Sequence, residues 1–470
     1  MITIDHQPRQ PDATTLLKAL REGKITACEL VGDHLGRLKA LQPTVNAAVK
    51  IYEKEALEIA ATLDASANTE LPLFGLPCSV KETFSLAGEE ITAGSLRKSP
   101  VKCHRDAEMV RRLKKAGAVV IARSNIPEFA MTGETTNPRF GRCNNPLDIT
   151  RVAGGSSGGE GALVGSGSSV FGIGSDILGS IRIPAALCGT VGFKAHSSAI
   201  DGSDTWPDVN GNTRSWLGYG PLTRSVRDAL LVYNVIADQP VKETTTIFEH
   251  VAIPEGFPIT YQQACIREAV NIAHQSLLDN GVKSRSLHFE KVPRLFLLIP
   301  KIIIDDFYET WISDLSSGSY GPFSTSRELF SQLVGNGTID RGLFNWILLK
   351  PVMKSRRSGK REKISEEFSQ ARNEYRKLLG PDTVLLLPTL GLVAPKHKGF
   401  NRRSLMDPRV NGLFTSHTLG NYLDLPTITV PAWEHCDAKT GLPASVSLMS
   451  TPGAEERLFA TARIVEAALN

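Results

Sequence analysis

Cysteine is sparse in this chain, and its spacing supports neither of the structural roles that cysteine usually has. The seven cysteines are scattered over 470 residues, and no two are separated as Cys-x-x-Cys. An odd number of cysteines without a metal-binding spacing predicts neither a disulfide framework nor a zinc site. We therefore expect free thiols, a reducing cytoplasmic environment and no metal.

Long apolar runs and an excess of one charge are also missing. No stretch approaches the roughly 18 uninterrupted apolar residues of a membrane-spanning helix. Asp5, Arg9 and Asp12 interrupt the start of the chain, where a signal peptide needs an apolar core. The 53 Lys and Arg residues nearly balance 49 Asp and Glu residues, giving a net charge of +4. Since no basic tract is interleaved with aromatic residues, we expect no nucleic-acid partner.

The composition and periodicity that are present are those of an α/β protein. Hydrophobic residues make up 41% of the chain, which is enough for a large core. Helical periodicity dominates residues 1–65, and short apolar runs alternate with a helical segment over residues 75–126. Residues 245–335 are less periodic, with one strand and one helix followed by an irregular stretch, and order returns in the last third. This pattern predicts a parallel or mixed sheet with flanking helices, in a single domain.

Glycine is concentrated between Gly154 and Lys194, around Ser156 and Ser180, which lie 24 residues apart. Such glycines permit positive φ values and let the backbone approach a ligand closely, so we expect the serines between them to face a pocket. A phosphate-binding loop is one interpretation. The segment lacks GxxxxGK[ST], and no GxGxxG lies at a strand–helix junction with an acidic residue downstream, which argues against it.

A hydrolase nucleophile elbow is a second interpretation, because the GGSSG run satisfies G-x-S-x-G and would make Ser156 the nucleophile of a Ser-Asp-His triad. The elbow needs a preceding strand, and residues 148–153 are short and polar. It also needs a late histidine, for which His397, His417 and His435 are available in polar surroundings. Either serine of the glycine segment could instead cap a helix.

The third interpretation rests on a resemblance. GGSSGGEGAL and GSDILGSIRIPAALCG, together with GLPCSVKE upstream, resemble the amidase signature family. By position, the resemblance implies that Lys81 is the catalytic base, Ser156 a bridging serine and Ser180 the nucleophile that accepts the acyl group. It is strong over residues 70–240 and looser over 340–470. It implies the amidase-signature fold, an α/β architecture with a large mixed β-sheet core flanked by helices.

The three residue types suit amide hydrolysis. A serine hydroxyl is a poor nucleophile until a neighbour takes its proton, and the leaving nitrogen must later receive one. Lysine acts as a base only when it is neutral, so its pKa near ~10.4 must fall by roughly three units through burial. A serine hydroxyl both donates and accepts, so Ser156 is suited to relay a proton between Lys81 and Ser180. For Lys81 alone, a surface lysine beside Glu82 is the plainer interpretation.

The resemblance also assigns the groups around the reacting atoms. The oxyanion donors are expected to be the backbone N–H groups of Ile177, Leu178, Gly179 and Ser180. Leu178 stands where the family has glycine, and a positive φ at that leucine would cost roughly 1–2 kcal/mol.

Five further residues are expected around these loops. Met131 and Thr132 match the family segment that lines the substrate pocket, although Met131 would serve equally as core filler. The supporting polar network is expected to contain Glu160, Asp176 and Arg182.

Substrate choice is predicted from outside the glycine segment. Residues 342–361 place apolar side chains beside Lys350, Lys354, Arg356 and Arg357 and resemble the membrane-binding cap of animal fatty acid amide hydrolases. Such a segment suits shallow insertion among anionic head groups, whereas a buried helix with solvated charges is the alternative. Within one domain over residues 1–470, we thus expect a helical lead-in at 1–65, a signature core at 75–240 and a substrate and membrane-cap region at 290–361.

The sequence therefore predicts a serine amidohydrolase of fatty acid amides, such as N-acylethanolamines, acting through an acyl-enzyme without a cofactor. The expected partners are a small lipid amide and a membrane surface that residues 342–361 contact. The oligomer to consider is a homodimer. Alternatives are an amidase of aryl or short-chain amides and the A subunit of a glutamyl-tRNA amidotransferase. A non-catalytic membrane-binding protein on the same scaffold is the alternative from another class.

Overall fold

The computed structural model of the protein describes residues 10–66, 68–256, 263–353, 358–397 and 418–470. Within these ranges, eleven strands form one sheet in the order β1-β5-β2-β8-β10-β9-β14-β15-β13-β11-β12, and β3-β4 and β6-β7 form two small ribbons. The strands are β1 Ala48–Ile51, β2 Pro77–Lys81, β3 Glu90–Ile91, β4 Val101–Lys102, β5 Val119–Ser124, β6 Thr136–Asn137, β7 Gly141–Arg142, β8 Phe171–Asp176, β9 Val191–Lys194, β10 Gly218–Thr223, β11 His250–Glu255, β12 Lys283–His288, β13 Thr383–Pro388, β14 Thr427–Cys436 and β15 Pro443–Met449.

Helices cover both faces of this sheet. They are α1 Ala13–Arg21, α2 Ala27–Val45, α3 Glu53–Asp64, α4 Glu108–Lys115, α5 Gly158–Gly165, α6 Arg182–Cys188, α7 Val226–Ile236, α8 Ala264–Asp279, α9 Val292–Leu315, α10 Thr325–Leu333, α11 Arg341–Leu348, α12 Lys350–Met353, α13 Ser358–Leu379 and α14 Glu455–Leu469. The predicted α/β architecture with a large mixed sheet is confirmed. The division into one domain stays a prediction.

The middle of the sheet carries the predicted site. β2 pairs in parallel with β5 on one side and with β8 on the other, and β8 pairs antiparallel with β10. Every residue of β2, and all but Ser175 of β8, are buried, as expected for strands covered on both faces. Because β2 and β8 are parallel neighbours, Lys81 and Asp176 end their strands at the same edge of the sheet.

The region after residue 290 differs from the irregular structure that the sequence predicts. Residues Val292–Leu315 form α9, a helix of 24 residues. Its first proline, Pro293, lies in the first turn, where a missing N–H costs nothing, and Pro300 lies inside the helix. Buried side chains from Val292 to Leu315 recur along its length, so packing against the core outweighs the helix-breaking tendency of Pro300.

Candidate active site

Lys81 is fully buried at the end of β2, where its ammonium group meets two hydroxyl groups. Its Nζ donates to Ser156 Oγ at 2.8 Å and to Ser175 Oγ at 3.0 Å. Burial lowers the pKa of Lys81 from its ordinary 10.5 to about 7, although the carboxyl groups of Asp176 and Glu160 oppose this change. A lysine with this pKa is partly neutral at neutral pH and is suited to accept a proton.

Ser156 lies on the glycine loop that leads into α5. The peptide bond from Gly155 to Ser156 is cis, and the serine side chain is buried against Lys81. The next residue ties this loop to the second serine, since Ser157 N donates to Ser180 O at 3.1 Å. The two serine loops of the glycine segment are therefore joined by a backbone hydrogen bond. Neither Ser156 nor Ser180 occupies the N-cap of a helix, since Ser157 precedes α5 and Ile181 precedes α6.

Ser180 stands in the turn between β8 and α6, and its side chain is partly exposed to the cavity described below. The positive φ in this turn, 98°, falls on Gly179, and Leu178 is not among the residues with positive φ. The backbone cost expected at Leu178 therefore does not arise, because glycine occupies the left-handed position one residue later.

One of the four expected oxyanion donors is already engaged. Gly179 N donates to Asp176 Oδ1 at 2.7 Å, which leaves this N–H directed at the carboxylate. For the backbone N–H groups of Ile177, Leu178 and Ser180, no acceptor occurs within the part of the chain that the structure describes. These three groups are the ones available to a developing oxyanion.

Asp176 organises this turn from a fully buried position. Its carboxylate accepts from the Ile181 backbone at 3.1 Å and from Arg182 Nε and Nη2, each at 3.0 Å. Although burial alone would raise it, the Arg182 guanidinium and other donors hold the pKa of Asp176 well below its usual range. Asp176 is therefore ionised, and its charge is neutralised within the core.

Asn421 forms hydrogen bonds with both Asp176 and Arg182, and it was not predicted as a site residue. Its Nδ2 donates to Asp176 Oδ1 at 2.8 Å, and its Oδ1 accepts from Arg182 Nη2 at 2.6 Å. Asn421 also donates to the Trp216 carbonyl at 3.0 Å. The looser resemblance over residues 340–470 was the available signal, but it did not single out this residue.

Glu160 lies beneath the lysine, in the first turn of α5. Its carboxyl group is buried and accepts a short hydrogen bond from Ser79 Oγ, two residues before Lys81 on the same face of β2. Burial raises the pKa of Glu160 to about 7, while Ser79 and Lys81 act in the opposite direction. Gly172 makes room for this carboxyl group, because a Cβ there would lie 1.9 Å from Glu160 Oε2.

Ser175 is a second polar residue that sequence reasoning missed. It is the partly exposed residue near the end of β8, and its hydroxyl accepts from Lys81 Nζ at 3.0 Å while its carbonyl lies 3.4 Å from the same nitrogen. Because Ser175 and Ser156 both contact Lys81 Nζ, they fix its direction. The GSD run identified the segment but not this serine.

A narrow apolar cavity opens beside the serines. Ser156, Ser175 and Ser180 are among its lining residues, and its volume is about 50 Å³. None of the described residues that line it is charged. Six aromatic side chains form much of the wall: Phe84, Phe129, Trp206, Tyr219, Phe307 and Trp311.

The two residues expected in the pocket differ in position. Met131 lines the cavity. Thr132 is not among the residues that line the cavity, and its hydroxyl donates to the Glu134 carbonyl at 2.8 Å, so its role in binding substrate stays a prediction. Just before Met131, Phe129 and Ala130 have positive φ values of 55° and 53°. Residues other than glycine rarely adopt this backbone conformation, and those that do are concentrated at functional sites.

Known proteins are similar to this chain in sequence. The family model described as Amidase matches residues 29–459. The chain belongs to the amidase family. Fatty-acid amide hydrolase 2-A of Danio rerio is 30% identical to this amidase over 97% of this chain and 88% of its own length. The A subunit of the glutamyl-tRNA(Gln) amidotransferase of Heliobacterium modesticaldum is 39% identical, over 47% of this chain and 46% of its own length.

Solved structures agree with the fold of this amidase. A structure described as an amidase superposes with a TM-score of 0.82 at 25% identity and covers 98% of this chain and 100% of its own. A fatty acid amide hydrolase superposes with a TM-score of 0.78 at 21% identity, over 98% of this chain and 85% of its own. The amidase-signature fold predicted from the glycine segment is thus confirmed.

Among the residues that the structure describes, the histidine-based alternative finds no geometric support. His397 is held between Glu134 Oε1 at 3.0 Å and the Ile149 carbonyl at 3.2 Å. His435 faces Glu268 at 3.8 Å, and His417 lies outside the described residues.

Among the residues described, no group of three His, Cys, Asp or Glu side chains is placed to hold a metal ion.

The predicted membrane cap is largely packed into the protein. On α11, Leu343, Phe344 and Ile347 are buried, because α11 and α12 pack against α9. Leu348 is exposed, while Lys354, Arg356 and Arg357 lie outside the described residues. No described helix combines the length and apolar character needed to cross a bilayer. Three of the apolar residues expected to meet lipid therefore belong to the core, and Trp346 and Met353 are partly buried against it.

Proposed function

We propose that this amidase hydrolyses amides with an apolar acyl group, with fatty acid amides of the N-acylethanolamine type as the first candidate substrates. The observation that carries the proposal is the uncharged cavity that Ser156 and Ser180 line together with six aromatic side chains. An apolar acyl chain gains free energy by leaving water for such a surface. The likeness to a fatty-acid amide hydrolase over 97% of this chain supports the same substrate class.

The proposed reaction passes through an acyl-enzyme. Neutral Lys81 accepts the proton of Ser156, which accepts the proton of Ser180 as the Ser180 oxygen attacks the carbonyl carbon. The carbonyl oxygen becomes an oxyanion, which would be stabilised by the backbone N–H groups of Ile177, Leu178 and Ser180 that have no acceptor among the described residues. The relay then returns the proton to the amide nitrogen, the amine leaves, and water hydrolyses the ester by the same route. The 2.8 Å contact between Lys81 and Ser156 supports the first transfer.

The cavity also supports a second candidate substrate class. A volume of about 50 Å³ accommodates only a few water molecules, so a long acyl chain enters only if the aromatic walls move. A benzoyl or short acyl group needs less movement, and this favours aryl or short-chain amides as the alternative. Glutamine is disfavoured, because its ammonium and carboxylate would face a wall without charges.

Acyl preference tests the proposal. We would measure kcat/KM for a series of ethanolamides from acetyl to palmitoyl, together with benzoyl ethanolamide and glutamine. A steady rise toward palmitoyl supports fatty acid amides, a maximum at acetyl or benzoyl supports the second candidate, and a maximum at glutamine contradicts both. Replacing Trp311, which lines the cavity, with Leu should raise the palmitoyl-to-acetyl ratio. Tyr308→Leu on the same helix, outside the cavity lining, is the matched control.

A serine-directed fluorophosphonate tests the roles of the two serines. We expect labelling of Ser180, abolished in Ser180→Ala, and much slower labelling in Lys81→Met because the relay lacks its base. Attachment of the probe to Ser156, with loss of labelling in a histidine variant, would replace the proposed relay by a histidine-based triad.

Lipid contact, if it accompanies this function, is proposed for α10 and not for residues 342–361. Leu329, Phe330, Leu333 and Val334 are 44%, 67%, 78% and 55% exposed, and this spacing places them on one face of the helix. Flotation with anionic liposomes should be lost in Phe330→Ser with Leu333→Ser, and retained in Leu297→Ser, a single exposed leucine of α9. Flotation that is equal in all three proteins would remove α10 from the proposal.

A further inference from the structure

A second cavity lies where α1 and α2 meet the residue that follows β10. Its volume is about 460 Å³, and its lining includes His34, Arg37 and Arg224. None of its lining residues also lines the active-site cavity. It therefore belongs to no part of the reaction described above, and its chemistry needs a separate explanation.

Two guanidinium groups face each other in this cavity with unused donors. Arg37 Nη2 donates to Asp33 at 2.6 Å, and Arg224 Nη2 donates to the Pro11 carbonyl at 2.6 Å. Arg37 Nη1 and both Nε and Nη1 of Arg224 are buried without a hydrogen-bond partner in the part of the chain that the structure describes, which begins at residue 10. A buried donor without a partner is costly, and more so when it carries charge.

The two unused nitrogens converge on one point. A Cβ built on Gly167 would lie 3.5 Å from Arg224 Nη1 and 3.6 Å from Arg37 Nη1. Both nitrogens therefore lie next to the same stretch of backbone. Two like charges this close repel one another, and an anion between them would turn the repulsion into attraction.

His34 adds a third polar group, three residues before Arg37 on the same face of α2. It is only 2% exposed, and its Nδ1 has no hydrogen-bond partner. Burial, and then the charges of Arg224 and Arg37, lower the pKa of His34 to about 3. The ring is thus neutral, and it donates to the backbone of Ser168 and Gly167. Its Nδ1, which has no partner among the described residues, is therefore an acceptor and can accept from the O–H of an oxyanion such as hydrogen phosphate.

The carboxylates nearby are committed to other donors. Asp33 pairs with the opposite nitrogen of Arg37, and Glu29 accepts from the Thr26 backbone at the N-terminus of α2. Asp228 accepts from the backbones of Ala13 and Thr14 at 2.7 and 2.9 Å. The charges of these carboxylates make the electrostatic potential in the cavity less positive. None of the three carboxylates accepts a hydrogen bond from the unpartnered guanidinium nitrogens.

We propose that this cavity binds a small oxyanion of the phosphate or sulfate type, held by Arg37 and Arg224 and contacted by His34. A tetrahedral oxyanion presents several acceptor oxygens at once, and guanidinium groups bind such oxygens with charge-assisted hydrogen bonds. Binding would satisfy the buried donors that the protein itself leaves without acceptors.

Calorimetric titration of inorganic phosphate into the full chain, at constant ionic strength, tests the site. We expect saturable binding at one site, weakened about tenfold or more by Arg224→Gln and by Arg37→Gln. Arg294→Gln removes the same charge from α9, outside the cavity, and should leave the affinity unchanged. Absence of saturable binding, or equal weakening by Arg294→Gln, would overturn the proposal.

A second pair of variants keeps the test informative if the arginine variants do not fold. Gly167 has φ of 70°, a conformation that Asp and Asn adopt more readily than other side chains. Gly167→Asp would place a carboxylate beside the two guanidinium groups, and Gly167→Asn has the same shape without the charge. We expect a higher melting temperature and loss of phosphate binding in Gly167→Asp relative to Gly167→Asn. Equal melting temperatures and equal phosphate binding in the two variants would contradict an anion site.

Discussion

Burial of Lys81 should lower the free energy of unfolding of the protein at neutral pH. Lys81→Met should raise this free energy again in part, while it removes activity. In the folded protein burial lowers the pKa of Lys81 from 10.5 to about 7. The unfolded chain therefore binds the lysine proton more tightly, and folding must overcome this difference. By linkage the cost is about 4 kcal/mol at pH ~7 and about 1 kcal/mol at pH ~9.5.

The sign of the pH dependence distinguishes this cause from ordinary packing changes. Between pH ~7 and ~9.5 the wild type should gain about 3 kcal/mol relative to Lys81→Met, because the variant has no proton to lose at this position. Without the ammonium group the pKa of the nearby Glu160 should rise further, which destabilises the variant as pH increases and acts in the same direction. Lost hydrogen bonds to Ser156 and Ser175 shift both measurements equally and cancel in the difference.

Urea unfolding of the wild type and of Lys81→Met at the two pH values measures this difference. The same experiment on Lys283→Met, whose lysine is exposed on β12, is the matched control and should show little pH-dependent change. If the difference in unfolding free energy between wild type and Lys81→Met is independent of pH, Lys81 is already charged in the folded protein. The relay through Ser156 would then lack a neutral base.

Three further outcomes follow from the site geometry. First, because the proposed mechanism requires neutral Lys81, kcat/KM should fall about tenfold per pH unit well below pH ~7; a rate that stays constant down to pH ~5 would exclude Lys81 as the base. Second, Gly172→Ala should unfold the protein or destabilise it by several kcal/mol, because the added Cβ would contact Glu160. Gly32→Ala on α2 is the control: nothing lies near its added Cβ, so thermal melts should show a neutral or stabilising effect. Third, Asn421→Ala should lower kcat more than it raises KM, because the ionised Asp176 loses a donor next to the Ser180 turn; unchanged kinetics would show that this turn needs no such support.

The glycine segment allowed its part of the fold and site to be predicted because its information is local in sequence. Ser156 and Ser180 lie in one glycine-rich stretch whose resemblance to a family could be seen from the residues, and the structure brings Lys81 and Ser156 into contact. Ser175 was missed because a serine in a strand has no distinguishing pattern. Asn421 was missed because it lies 245 residues from its partner Asp176, a separation that no periodicity reveals.

Burial was the harder property to predict outside the glycine segment. Residues around Leu343 and Ile347 have the amphipathic pattern of a membrane-contacting helix, but the same pattern suits a helix that packs on α9. A sequence does not identify which neighbour will cover an apolar face. The conformation of Leu178 was equally undetermined, since only the structure places the positive φ at Gly179.

The active-site cavity is formed by two parts of the chain, one that carries Lys81, Ser156 and Ser180 and one that contributes part of the wall. Lys81, Ser156 and Ser180 come from one continuous stretch of about 100 residues, whereas part of the wall comes from residues 205–217 and 307–311. Grafting the second set from a relative would leave the proton relay in place and alter which acyl groups fit. The chemistry of this amidase and its selectivity are therefore separable, both for evolution by exchange of segments and for protein engineering.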